Sequence, residues 1–438
     1  MNSPSSPNLI ARGQTLLFVV VASLFFAWGL AANMTDTLLA AFKRIMSMSD
    51  FQTTFVQYAF YGAYFCFALP ASLLITRFSY KSGILIGLAL YIGGALLFYP
   101  ASSTMQYAHF LIALYVLAAG LSILETSANP FIYQLGPKET ATQRLNLAQS
   151  FNPIGAISGV VISKFFILAN LNAADADARS QMSAEELTAI QRDELVAVMG
   201  PYVAVAFILI ALWVIIATRR VESSAMKETH VELLPALGRL VRLPSYTGAV
   251  FAQFVYVGAQ IGIWSFTIRY AMANLDINES AAANYYTAAL VAFLLSRFLC
   301  TWAMNFVRPT ILLSVLSLLA ALFTVFAASS SGIFGVYALI AVSACMSLMF
   351  PTIYGIGLSR VGADAKIAAA GLVMAIVGGA VITGIQGWVS DLTGSMHMSF
   401  YVPAVCFFLI TLYSFWAHRT EGMTSGDTEE SAPKETFV

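Results

Sequence analysis

Residues 15–42, TLLFVVVASLFFAWGLAANMTDTLLAAF, contain a single ionisable side chain, the carboxyl group of Asp36. A helix of about 20 predominantly apolar residues is long enough to cross the ~30 Å hydrocarbon core of a bilayer. This stretch therefore predicts a membrane-spanning helix. It follows a polar N-terminal segment, MNSPSSPNLIARGQ, and is too long for the apolar part of a cleavable signal peptide. We therefore expect it to stay in the mature protein.

Further stretches of similar composition follow along the chain, which is 59% hydrophobic and only 10% charged. A soluble domain carries roughly 25% charged residues. The predicted spans cover residues 15–42, 53–76, 82–100, 107–135, 145–169, 200–218, 246–273, 281–305, 309–328, 332–360, 366–389 and 397–417. The sequence therefore predicts an all-α membrane protein of twelve transmembrane helices.

Lysine and arginine are distributed unequally over the connecting segments. Most of the 22 basic residues lie in segments on the same side as the N-terminus, and an excess of basic residues is typical of cytoplasmic segments. We therefore expect both termini in the cytoplasm. On the opposite side the sequence predicts a long acidic loop over 170–199. No basic patch indicates nucleic-acid binding.

The two halves of the chain resemble each other weakly. Pro130 in NPFIYQLG corresponds to Pro351 in FPTIYGIG, and Gly155 in the fifth span corresponds to Gly379 in the eleventh. Parallel repeats of six helices are how the halves of major facilitator transporters are related. We predict a tail over 1–14, bundles over 15–218 and 246–417 with a linker over 219–245, and a tail over 418–438. The substrate is then expected near the membrane midplane, between the bundles.

Of the 22 acidic residues, only Asp36 and Glu125 fall inside predicted spans. An ionised carboxylate at the centre of a membrane helix costs at least about 2.5 kcal/mol. Lys164 and Lys366 lie only towards the ends of their spans, and Arg297 is expected to snorkel or to pair near the cytoplasmic end of its helix. Protonation is then the simplest solution, and a carboxyl that binds and releases a proton is the minimal part of a proton-coupled transporter. The alternative is a structural carboxyl hydrogen-bonded between helices.

Polar and aromatic side chains recur at helical spacing around these acids and in the second half. The candidate substrate contacts are Trp28, Asn33, Glu125, Asn129, Gln149, Asn152, Tyr256, Gln260, Trp264, Asn284 and Tyr354. Carboxamides donate to and accept from sugar hydroxyls, and aromatic rings cover the apolar faces of a pyranose. The set predicts a neutral polyol ligand, with no metal or other cofactor. The alternative for any single Asn or Gln is a hydrogen bond that holds two helices together.

Several segments resemble the bacterial L-fucose permease group of the major facilitator superfamily, whose members are sugar/proton symporters. The most distinctive are SLFFAWGLAANMTDTLL, AAGLSILETSANPF, LGPKETATQRLNLAQSFNPIGA and QFVYVGAQIGIWSFTIRYA. The resemblance implies protonation at Asp36 and sugar binding with coupling at Glu125. It also implies that Asn33, Gln149 and Asn152 supply pocket amides.

Together with this resemblance, these observations predict a monomeric proton-coupled monosaccharide symporter of the bacterial inner membrane that works by alternating access. The resemblance implies L-fucose as the imported sugar. The alternatives within the group are glucose, galactose or N-acetylglucosamine as substrate. A sugar sensor without transport is the alternative of a different class, although the short cytoplasmic segments contain no signalling domain. An enzyme is not expected, because no nucleophile and base, and no metal-ligand set, lie within the spans.

Overall fold

A computed structural model of the protein describes residues 9–10, 13–45, 50–167, 179, 181–218 and 232–430. The regular structure of this part of the chain is helical throughout. The helices are α1 (Thr15–Ile45), α2 (Asp50–Arg77), α3 (Tyr80–Thr104), α4 (Tyr107–Gln134), α5 (Ala141–Gln149), α6 (Phe151–Ile162), α7 (Ala184–Thr218), α8 (Leu233–Val241), α9 (Pro244–Leu275), α10 (Glu279–Ala303), α11 (Pro309–Ser329), α12 (Ile333–Met346), α13 (Met349–Leu358), α14 (Ala365–Met374), α15 (Gly378–Thr393), α16 (Met396–Ser399) and α17 (Tyr401–Glu430).

Within the described residues, 10 candidate spans are long and apolar enough to cross a membrane. The first predicted span corresponds to α1, whose apolar stretch Thr15–Ala31 is shorter than these. The fifth corresponds to α5, α6 and a π-helical turn, Ser163–Ile167. The tenth and eleventh spans are also interrupted, between α12 and α13 and at the 3₁₀ turn Ala375–Val377. The prediction of an all-α membrane protein is confirmed.

The helix ends carry recognisable local signals. Ser79 caps α3, because its Oγ accepts a hydrogen bond from the backbone N–H of Ser82 at 3.0 Å. Asn278 caps α10 in the same way, accepting from the N–H of Ala281 at 2.9 Å. Proline occupies the first position of α9 (Pro244), where its missing N–H costs no intrahelical bond. The chain therefore turns at these places for local reasons.

The expectation that 170–199 is a loop is wrong from Ala184 onward, where α7 begins. Glu194 of this helix forms a bidentate ion pair with Arg179, with Nη1 and Oε2 2.9 Å apart, and both side chains are buried. A span predicted from hydropathy ends where charged residues begin. The helix itself can continue beyond that point when those charges are paired or exposed to solvent. The segments 168–178 and 219–231 lie outside the described residues.

Contacts group the chain into two compact units, Met1–Arg242 with Val361–Val381, and Leu243–Arg360 with Ile382–Val438. The stretch Val361–Val381, which falls within the predicted second bundle, thus groups with the first unit. Three contacts show how it packs there. Asp364 accepts hydrogen bonds of 2.8 and 2.7 Å from Arg239 of α8. The Lys366 ammonium lies 5.5 Å from the centre of the Tyr80 ring. Gly379 lies against the Tyr61 ring.

The outer surfaces of the helices are strongly apolar. Large side chains such as Phe207, Phe165 and Leu295 are about two-thirds exposed, whereas Glu125, Asn129 and other polar side chains are buried. A soluble protein rarely exposes apolar patches of this extent. The distribution is typical of helices surrounded by lipid.

Candidate functional site

The first unit encloses an acid in the middle of α4. Glu125 is 2% exposed, and neither of its carboxyl oxygens has a hydrogen-bond partner among the described residues. Every residue from Leu117 to Ile132 of this helix is buried. A buried polar group without a partner costs roughly 1–3 kcal/mol, and more if charged. Glu125 therefore has hydrogen-bonding capacity that the described part of the chain does not satisfy.

A pair of carboxamides lies one turn along α4 from this acid. Gln149 of α5 donates from Nε2 to Oδ1 of Asn129 at 2.8 Å, and both residues are buried. The Nδ2 group of Asn129 has no partner in the described part of the chain. The structure thus brings Glu125, Asn129 and Gln149 together, as the sequence predicts. One carboxamide hydrogen bond joins two helices, and Nδ2 of Asn129 remains as a donor.

Helices α1 and α6 pack unusually closely beside this group. A Cβ atom at Gly29 would collide with the backbone carbonyl of Asn152, and one at Gly155 would collide with that of Phe26. Small residues permit such approaches between membrane helices. The half-buried Asn152 therefore lies directly against α1 at Gly29, the residue that follows Trp28. Asn33, one turn further, donates to the carbonyl of Gly29 at 3.2 Å.

The side chain of Asp36 lies outside the described residues, although its position falls within α1. Its role in proton coupling stays a prediction.

Tyr64 of α2 is a neighbour of Glu125 that the sequence did not reveal. It is 1% exposed, and its hydroxyl has no partner among the residues described. Ser122, on the same face of α4 as Glu125, donates to the backbone carbonyl of Tyr64 at 3.0 Å, which holds the two helices together at this level. The Tyr64 hydroxyl is close to the Glu125 carboxyl and to Trp28. A tyrosine in an apolar helix carries no distinguishing sequence signal.

The second unit collects aromatic side chains from α9, α10 and α13, and α12 supplies polar groups that bond two of them. The Tyr256 hydroxyl donates to the carbonyl of Met346 at 3.1 Å, and the Trp264 indole donates to the Ser343 hydroxyl at 3.2 Å. The Phe350 ring lies 6.3 Å from Tyr256 and also 6.3 Å, stacked, from Tyr354. The Tyr256 hydroxyl and the Trp264 indole N–H are thereby held in place. Trp264 itself is half-buried, which leaves part of its face accessible.

The remaining predicted contacts of this unit are less enclosed. Gln260 is half-buried and Asn284, near the start of α10, is exposed. The structure does not bring Asn284 into a buried cluster.

Arg297 does not snorkel, so that part of the expectation is wrong. Its side chain is 3% exposed, donates from Nε to the carbonyl of Ser347 at 2.6 Å, and lies 4.7 Å from the centre of the Phe293 ring. The gap between α12 and α13 provides this acceptor, because a carbonyl at a helix break is available to a side chain. A buried cation in α10 is thus satisfied by backbone and by an aromatic face.

Among the described residues, no group of three or more His, Cys, Asp or Glu side chains is placed to hold a metal ion. The arrangement consists of carboxamides, hydroxyls, aromatic rings and one unpartnered carboxyl. Such groups exchange hydrogen bonds with a neutral polyol and can hold a proton.

Comparison with known proteins identifies the family. The family model described as Major Facilitator Superfamily matches residues 16–384. The chain belongs to the major facilitator superfamily. Its similarity to individual members is extensive. The L-fucose-proton symporter of Haemophilus influenzae is 38% identical over 413 residues, which cover 92% of this chain and 96% of that protein. The L-fucose-proton symporter of Escherichia coli K12 is 38% identical over 417 residues, 94% of this chain and 95% of that one.

A solved structure of a major facilitator protein agrees with the fold. The crystal structure of the E. coli fucose:proton symporter, FucP, superposes with a TM-score of 0.86 at 37% sequence identity, covering 93% of this chain and 99% of the other. The predicted major facilitator fold is confirmed. So is the resemblance to the L-fucose permease group.

Proposed function

We propose that this protein is a proton-coupled symporter that imports a neutral monosaccharide, L-fucose in the first place, by alternating access. The observation that carries the proposal is the buried, unpartnered Glu125 beside the Asn129–Gln149 carboxamide pair. The similarity to two L-fucose-proton symporters over more than nine-tenths of the chain supports the substrate and the coupling. Those relatives are transporters and not enzymes.

The proposed roles divide between two acids. Asp36 loads the transported proton, and Glu125 links proton occupancy to the sugar. When protonated, Glu125 donates to a sugar oxygen, since a neutral carboxyl has one O–H group and a free acceptor. The carboxamides of Asn33, Asn129, Gln149 and Asn152 take further hydroxyls. Tyr256, Gln260, Trp264, Asn284 and Tyr354 of the second unit complete the proposed set of sugar contacts, with Trp28 from the first.

The driving force for uptake comes from the proton. One pH unit contributes about 1.4 kcal/mol per proton, and a membrane potential of 100 mV contributes about 2.3 kcal/mol. We place the protein in the bacterial inner membrane as a monomer, with both termini in the cytoplasm. The unequal distribution of Lys and Arg supports this orientation. The two six-helix bundles are proposed to be 15–218 and 246–417, with 219–245 as the linker.

Uptake by proteoliposomes tests the function. Purified protein is reconstituted, and accumulation of radiolabelled L-fucose, D-glucose, D-galactose and N-acetylglucosamine is followed with and without an inward proton gradient. We expect L-fucose to accumulate above its external concentration only when the gradient is present. Equal final levels with and without the gradient would contradict coupling, and binding without any uptake would support the sugar sensor instead.

A further inference from the structure

Helix α15 presents two polar groups to a single glycine of α9. Gln386 is 0% exposed, and neither its Oε1 nor its Nε2 has a hydrogen-bond partner among the described residues. The Thr383 hydroxyl, one turn earlier, is likewise buried and unpartnered in the described structure. A Cβ atom at Gly262 would collide with Oε1 of Gln386 and would lie 3.9 Å from Oγ1 of Thr383. A carboxamide and a hydroxyl therefore converge on Gly262.

This arrangement is costly unless something else supplies the missing hydrogen bonds. A buried polar group without a partner costs roughly 1–3 kcal/mol of folding free energy. An apolar side chain of the same shape would carry no such desolvation penalty. Most buried polar groups in folded proteins have a partner. Two unpartnered groups on adjacent turns of one helix therefore point to a ligand that provides both donors and acceptors.

Accessible surface lies beside this pair, because Thr383 is half-buried although its hydroxyl oxygen is enclosed. Gln260 and Trp264, each two residues from Gly262 along α9, are also half-buried but lie on a different face of that helix. The Trp264 indole N–H is already bound by Ser343, so its ring is held in place while its polar edge is occupied. A glutamine side chain has three rotatable bonds, so the Gln386 carboxamide can leave Gly262 without a shift of the α15 backbone.

We propose that Gln386, assisted by Thr383, recognises hydroxyl groups of the transported sugar in the second unit, and that Gly262 provides the space in which the carboxamide rests. The proposal rests on the proposed transport of a monosaccharide. A carboxamide donates through Nε2 and accepts through Oε1, and a hydroxyl does both, so the pair matches two neighbouring hydroxyls of a neutral sugar. A site that hydrogen-bonds a hydroxyl discriminates strongly against analogues that lack it.

Calorimetry with purified protein tests the assignment, using L-fucose and its monodeoxy analogues as ligands. We expect Gln386→Leu to weaken L-fucose binding about tenfold, since a tenfold change corresponds to about 1.4 kcal/mol. For one deoxy analogue, the ratio of its Kd to that of L-fucose should fall towards one in the variant. Gln386→Asn, which keeps a carboxamide, is the second variant and should lower the same ratio only partly.

Glycine substitutions provide the matched control. Gly262→Ala should displace the Gln386 carboxamide from its resting position and so strengthen L-fucose binding, and adding it to Gln386→Leu should have no further effect, because contacting residues are not additive. Gly387→Ala lies on α15 where a Cβ would meet no atom within 4 Å, and it should leave affinity unchanged.

Two results would overturn the assignment. Gln386→Leu protein that binds L-fucose within about twofold of the parent, with every analogue ratio preserved, would remove Gln386 from recognition and leave the proposed transport intact. A parent protein that binds none of the sugars would instead refute the proposed function, and this inference with it.

Discussion

Glu125 in the first unit and Arg297 in the second are buried in opposite ways. In the first unit, the Glu125 carboxyl is enclosed without a hydrogen-bond partner in the described structure. In the second unit, the Arg297 guanidinium is equally enclosed but bonds the carbonyl of Ser347 and lies over the Phe293 ring. A satisfied charge stabilises the packing around it, whereas an unsatisfied carboxyl is stable only if it is neutral or bound to something else. The comparison indicates that Arg297 has a structural role in the second unit, whereas Glu125 of the first unit is available for proton or sugar binding.

The chemistry of the candidate contacts differs in the same way. Carboxamides of α4 and α5 lie beside the acid in the first unit. The second unit offers Tyr256 and Trp264, whose polar groups are already bonded, and the Gln386 carboxamide, which has no partner in the described structure. No carboxyl group of the second unit is buried among the residues that the structure describes. Proton coupling should therefore depend on the first unit, and the second unit should contribute to affinity without setting its pH dependence.

The largest effect is expected at Asp36. Asp36→Asn should abolish accumulation of sugar against its gradient, because the amide cannot carry a proton, while exchange between pre-loaded vesicles continues. Radiolabel uptake and exchange in proteoliposomes measure both activities. Glu185→Gln, an exposed acid of α7, is the control and should accumulate sugar normally. Accumulation by Asp36→Asn equal to that of the parent would remove this residue from the mechanism.

The next largest effect is expected at Glu125, where two substitutions separate shape from charge. Glu125→Gln keeps the hydrogen-bonding shape in a permanently neutral form, so sugar binding should survive and lose its dependence on pH. Glu125→Ala should weaken binding about tenfold or more, since sugar oxygens are left unpaired in a buried site. Calorimetric titrations between pH 5 and 8 measure both effects. A Gln variant whose affinity follows pH as the parent's does would place the coupling elsewhere.

A smaller effect is expected for the carboxamides. Gln149→Ala removes the donor to Asn129 and, as proposed, a sugar contact, and Asn152→Ala removes another; each should weaken binding by about 1–3 kcal/mol. Gln134→Ala is the control, because this exposed carboxamide bonds the Tyr80 hydroxyl at the end of α4. If each variant binds L-fucose within about twofold of the parent, measured by calorimetry, Gln149 and Asn152 only hold helices together.

The smallest effect should come from the aromatic face of the second unit. Trp264→Phe should weaken sugar binding by about 0.5–1.5 kcal/mol, the range for aromatic contacts, with an unchanged pH profile. Trp388→Phe, on an exposed position of α15, should change neither quantity. A shift of the pH profile in Trp264→Phe would break the division of roles between the units.

The repeats illustrate the limit of matching residues by sequence. Gly155 and Gly379 correspond in the two halves, and in both places a Cβ atom has no room. Gly155, however, lies against the backbone of α1, whereas Gly379 lies against the Tyr61 ring of α2. A repeated small residue predicts that a helix is approached closely, but it does not identify the neighbour.

The sequence by itself determined the fold class and the position of most spans, because the cost of placing charge in hydrocarbon is local and is read from one stretch at a time. It also singled out Glu125, Asn129 and Gln149, since polar residues at helical spacing stand out in apolar helices. The sequence did not reveal the amphipathic helix α8, which lies in the predicted linker, or the start of α7 before residue 200. Paired or exposed charges end an apolar run without ending a helix.

Only the tertiary structure decided which buried groups have partners. Arg297 is satisfied by a carbonyl 50 residues further along the chain, and Tyr64 is brought beside α4 by a bond to Ser122 across 58 residues. Gln386 meets Gly262 in the same long-range way. A polar side chain either forms a hydrogen bond between helices or remains available to a ligand. Which of the two occurs depends on how closely helices that are far apart in the sequence approach each other, and no local pattern of residues encodes those distances.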